Sequence, residues 1–75
     1  MPRYFFHIHH GPSLLDEDGV EMSSADEARA QAVVAAGEAL RDTDGRFWNR
    51  GEWSMHVVDE KGETVCRLRF SGEYE

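Results

Sequence analysis

Apolar positions follow a period of two at both ends of the chain and a helical period between them. From Arg3 to His9, Tyr4, Phe6 and Ile8 share one side while Phe5, His7 and His9 share the other, which is the alternation of a β-strand. Gly11-Pro12-Ser13 supplies the turn chemistry that ends it. Leu14-Leu15-Asp16 predicts a short antiparallel return strand, and Glu17-Asp18-Gly19 a turn. Val20-Glu21-Met22, weakly patterned, leads out of it.

The middle of the chain reads as one helix. Ser24-Ala25-Asp26-Glu27 has the form of a capping box, and the helix is expected from Ala25 to about Asp42, with Gly45 placed to end it in a left-handed conformation. At 100° per residue, Ala25, Ala28, Ala32, Ala35, Ala36 and Ala39 fall in one stripe with Leu40 at its edge. Such a stripe lets a helix approach a sheet closely. The opposite side carries Ala30, Val33, Val34 and Gly37, so this stretch is apolar nearly all round, broken by Gln31. That predicts cover on the second side as well.

Alternation returns after an aromatic loop, Arg46 to Gly51. Trp53 to Asp59 and Thr64 to Phe70 read as two strands, joined by a hairpin over Asp59-Glu60-Lys61-Gly62. Trp53, Met55, Val57, Cys66, Leu68 and Phe70 would face the helix. His56, Val58, Val65, Arg67 and Arg69 would face away, and Phe47, Trp48 and Trp53 are read as caps on a small core. The order is ββαββ: an α+β domain, residues 1–75, with a four-stranded antiparallel sheet and one helix on one face. Its buried residues should include Phe6, Ile8, Leu68 and Phe70.

Composition narrows what such a domain can do. Its 75 residues carry 15 acidic against eight basic side chains, a net charge of −7 that counts against unspecific binding to nucleic acid or anionic lipid. No stretch has the roughly 18 apolar residues of a membrane span, and the apolar run after Arg3 is too short for a secretory leader. A cytoplasmic location is the expectation, with the single cysteine, Cys66, as a free thiol inside the sheet–helix interface.

Candidate chemistry is thin. His7 and His9 lie about 6.6 Å apart on one strand side, and zinc would need His56 as a third ligand from a neighbouring strand. Half-exposed histidines on a solvated face are the simpler reading. The acids from Asp16 to Glu27 fail the calcium-loop spacing, since Leu14 and Ala25 would occupy ligand positions. No Gly-x-Ser-x-Gly elbow, phosphate-binding glycine loop or Cys-x-x-Cys occurs. Neither enzymatic activity nor a cofactor is expected.

What remains is surface. Phe5, His7, His9, His56, Val58, Arg67 and Arg69 would form a locally basic sheet face, and Val34 marks the outer side of the helix. These are the candidate interaction residues of a non-enzymatic module, expected to form a homodimer and to take an as yet unidentified protein partner. The alternative is a nucleic-acid-binding regulator using the sheet face, where Phe5 would be the stacking aromatic.

The opening Met1-Pro2-Arg3-Tyr4-Phe5-Phe6-His7, the segment Asp16-Glu17-Asp18-Gly19-Val20-Glu21, the alanine-rich helix and Met55-x-Val57-x-Asp59-x-x-Gly62 together resemble an uncharacterised family of short alphaproteobacterial, chiefly rhizobial, proteins. The resemblance implies no substrate, cofactor or catalytic residue. His7 belongs to its opening pattern, whereas the pair His9-His10 looks particular to this chain. Seven arginines against the single Lys61 suit a GC-rich source.

Overall fold

The computed structural model describes residues 2–75; Met1, the first residue of the opening motif, lies outside the described residues. Its strands are β1 (Arg3–His9), β2 (Ser13–Leu14), β3 (Val20–Glu21), β4 (Glu52–Asp59) and β5 (Thr64–Ser71), with helix α1 (Ala25–Thr43) and a 3-10 helix (Asp44–Asn49) between β3 and β4. All pairings are antiparallel, in the order β2-β1-β4-β5, and β3 joins β1 on the edge that β2 also uses. The expected α+β class holds. The expected single return strand is instead two two-residue strands, because Asp16 turns the chain away from β1 before Val20 brings it back.

Each end of α1 has a local cause. Ser24 accepts a hydrogen bond from the Glu27 backbone N–H at 3.2 Å, as a cap should, but the Glu27 carboxylate accepts from the Ser23 hydroxyl at 2.7 Å and not from the cap backbone. At the other end the expected glycine is not used. Asp44 takes the positive φ, 52°, and donates its N–H to the Arg41 carbonyl, leaving Gly45 inside the 3-10 helix. The Arg46 guanidinium then donates to two carbonyls at the end of the helix, those of Asp42 at 2.7 Å and Thr43 at 3.1 Å.

The helix lies over β4 and β5. Ala28, Ala32 and Ala36 are buried there together with Tyr4, Trp53, Met55 and Val57, and Met22 and Phe47 close the ends of this core. The alternation of β1 is as expected, with Tyr4, Phe6 and Ile8 on the core side. Burial is less than expected at the margins, because a single helix does not reach across the near face of all the strands. Phe6, Ile8 and Leu68 are partly buried, and Phe70 is 49% exposed. Met22, read from the sequence only as lead-out, is buried and donates its N–H to the Pro2 carbonyl at 3.0 Å.

Two further expectations need correction. Val57 pairs with Cys66 but Val58 pairs with Thr64, so Val65 is an extra residue in β5, and this bulge turns it to pack against the core instead of the far face. Of the three aromatics read as caps, Phe47 and Trp53 are buried as expected whereas Trp48 is 47% exposed, edge-on to Phe47 and Tyr74.

Cys66 is partly buried against the core, where desolvation pushes its thiol pKa up and the nearby Arg29 offsets part of that rise. A thiolate-dependent reagent should therefore label the native protein slowly at neutral pH and the denatured protein fast. Equal rates measured in buffer and in denaturant would contradict this placement.

Candidate interaction surface

The strand register lays the far sheet face out in three cross-strand rows: Phe5, Val58 and Thr64; His7, His56 and Arg67; His9, Ser54 and Arg69. The sequence-expected residues Phe5, His7, His9, His56, Val58, Arg67 and Arg69 are thus brought together. Val65 is not among them, and Thr64 and Ser54 are additions that only the pairing reveals. His10 is turned elsewhere, stacked on Phe47 at 6.1 Å with its Nε2 buried and unpartnered.

Each histidine of the face is held by a neighbour. The Asp16 N–H donates to His7 Nδ1 at 3.0 Å, so the neutral ring carries its proton on Nε2. His9 Nδ1 lies 2.7 Å from the Ser13 hydroxyl and His56 Nε2 lies 2.8 Å from the Thr64 hydroxyl. The His7 and His56 rings meet edge to face at 6.5 Å. Burial, then the charges of Arg67, His7 and His9, hold the His56 pKa below its ordinary value. The row therefore carries less charge near neutral pH than its composition suggests. Its two ends differ: the ion pairs among the described residues, Arg3 with Glu21 and Arg29 with Asp26, leave Arg67 and Arg69 exposed and unpaired.

Phe5 is not a free platform. Gly19, at φ 70°, passes so close that a Cβ there would sit 2.8 Å from the Phe5 ring. The loop carrying Gly19 is held down by Asp16, whose carboxylate accepts from the N–H groups of Phe6 (3.1 Å), Gly19 (3.0 Å) and Asp18 (3.2 Å). Burial alone would raise the Asp16 pKa, but these three bonds outweigh it and hold the carboxyl below its ordinary value. The sequence signal for this role is an aspartate two and three residues before the turn residues Asp18 and Gly19, whose N–H groups it accepts.

His56 does sit beside His7, the adjacency that a zinc site would require, yet among the described residues no three potential ligands gather. The pair His9–Ser13 has the separation of a base and a nucleophile. It closes an exposed turn, and Ser13 lies outside the cleft of about 520 Å³ that His9, Arg50, Glu52 and Arg69 line at the end of the sheet.

The outer side of α1 is the second candidate face. Val33 and Val34 are 62% and 53% exposed, and Ala30 and Gly37 beside them are exposed too. Among the described residues, nothing supplies the cover expected for this side: Phe47 packs against Phe70 and His10, and Val33 and Val34 stay exposed.

Among the described residues, no helix is long and apolar enough to cross a membrane. No curated protein and no solved structure matches the chain. Residues 3–71 match a family described as "Domain of unknown function (DUF6894)", which spans the opening strand, the acidic loop, the alanine-rich helix and the closing hairpin that carried the resemblance. The chain belongs to that uncharacterised family, DUF6894.

Proposed function

We propose that this domain is a non-enzymatic interaction module of the bacterial cytoplasm that self-associates and binds a protein partner. The observation that carries the reading is the outer face of α1, where Val33 and Val34 stay 62% and 53% exposed with small neighbours on either side. Exposed apolar residues clustered on one face, and not scattered, mark a surface built for contact. A core of this size contributes only about 3 to 5 kcal/mol, so association adds stability that the fold can use. Sedimentation equilibrium tests it. The expected mass is near twice 8.6 kDa at high micromolar concentration, shifting toward 8.6 kDa for Val34→Glu. A wild-type mass of 8.6 kDa throughout would refute self-association.

A second reading is nucleic-acid binding through the sheet face, favoured by the exposed, unpaired Arg67 and Arg69 beside the histidine row. The half-buried Phe5 and the net charge of −7 weigh against it. Salt separates the two. Binding to a single-stranded oligonucleotide would weaken linearly in log–log form as salt rises, whereas an apolar protein contact would hold.

A further inference from the structure

The outer face of α1 matches itself when read in reverse. Its centre lies between Val33 and Val34. Ala30 and Gly37 stand at equal distances on either side, and beyond them the first-turn acids Asp26 and Glu27 answer Arg41 in the last turn. At 100° per residue all seven lie within about 60° of one outward direction, roughly opposite the buried Ala28, Ala32 and Ala36. All seven are exposed.

We propose that α1 pairs antiparallel with α1 of a second copy, across a two-fold axis passing between Val33 and Val34. The inference rests on the reading that the domain self-associates and gives that association a face and a register. In this register Ala30 meets Gly37 of the partner copy, and neither has a side chain large enough to hold the helices apart. A Cβ built on Gly37 would touch nothing within 4 Å in the single chain, so the close approach its absence permits is unused there. Val33 and Val34 flank the axis and cover one another. Arg41 reaches Asp26 and Glu27 of the partner copy at each end of the contact.

Charge chooses the orientation. Among the described residues Arg41 forms no ion pair within its own chain, while Asp26 holds Arg29 and Glu27 holds the Ser23 hydroxyl. A parallel pair would set Arg41 against Arg41 and acids against acids. The antiparallel pair sets each cation against two acids, and each helix N-terminus against the partner's C-terminus, which the helix dipoles also favour. From Asp26 to Arg41 the strip is about 22 Å long at 1.5 Å per residue. That is a small interface, so the dimer belongs in the micromolar range or weaker.

A charge-exchange experiment tests orientation and register together. The first variant is Arg41→Glu and the second combines Asp26→Lys with Glu27→Lys. By sedimentation equilibrium each should self-associate about tenfold more weakly than wild type, because every end contact becomes repulsive. An equimolar mixture should recover association to within about twofold of wild type, since each variant restores opposite charges for the other. Circular dichroism of each variant confirms that it is folded. If both variants dimerise like wild type, or the mixture of folded variants recovers nothing, the helix pairing is wrong while self-association through another face still stands. If wild type itself is monomeric up to about 500 micromolar, the self-association reading fails and the pairing with it.

Discussion

Replacing Ala32 by leucine should remove most of this protein's stability. Ala32 is 0% exposed, as is Ala28 one turn earlier, and both lie where α1 presses on the sheet in the cluster containing Met55 and Val57. Three added carbons at a fully buried position force the helix to lift or neighbouring side chains to leave their rotamers. Overpacking of this kind costs about 3 kcal/mol at its upper usual value. A core this small supplies only about 3 to 5 kcal/mol in all. The thermal midpoint should fall by about 12 to 24 °C, taking about 4 to 8 °C per kcal/mol for a domain of this size. Gln31→Leu, on the exposed side of the same helix, is the control and should stay within about 0.5 kcal/mol of wild type. Equal melting curves for the two variants would show that the alanine stripe does not set the helix–sheet distance.

Removing the Asp16 carboxylate should have the next largest effect. Three backbone N–H groups, those of Phe6, Gly19 and Asp18, donate to it, and the Asp16 N–H in turn donates to His7. Asp16→Ala strips the acceptors and releases the loop that packs Gly19 on Phe5. Hydrogen bonds to a charged group contribute about 1.5 to 3 kcal/mol, so a loss of about 2 kcal/mol is expected for a partly exposed loop. Asp16→Asn should lose about half of that, because its oxygen can keep the Gly19 and Asp18 bonds while its amide nitrogen meets the Phe6 N–H donor to donor. The same carboxylate sets an acid limit. Its pKa in the folded protein is below that of the unfolded chain, so its contribution is complete above about pH 4 and disappears as pH falls through the folded value. His56, also held below its ordinary value, acts in the same sense nearer neutrality, losing its contribution as pH falls from about 6.5 through its folded value. Urea titrations between pH 2 and 7 should show Asp16→Ala with a flatter acid limb than wild type. Parallel limbs would assign acid sensitivity to other groups.

What could be read from the chain by itself was whatever depends on near neighbours. The period-two alternation of Tyr4, Phe6 and Ile8 and of Trp53, Met55 and Val57 sorted residues to the correct side of the sheet, because a strand sends successive side chains to opposite faces whatever it pairs with. The Ser24 cap, the Asp59–Gly62 hairpin and the buried Ala28, Ala32 and Ala36 were legible for the same reason. Membership of an uncharacterised family was legible as well, and the family match covers residues 3–71.

Register, long-range bonds and coverage were decided only by the tertiary structure. Nothing in the spacing of His7, His56 and Arg67 says that they lie in one row, because pairing between β1 and β4 spans a loop, a helix and a 3-10 turn. The bulge that turns Val65 inward answers the hairpin geometry at Thr64, which alternation cannot see. Asp16 became the clamp of the acidic loop through a bond to Phe6 ten residues away, and Asp44 took the positive φ expected of Gly45. The exposure of Val33 and Val34 was the last such decision. An apolar helix side announces in sequence only that something should cover it, and it took the packing of Phe47 against Phe70 and His10 to show that this chain leaves the face open.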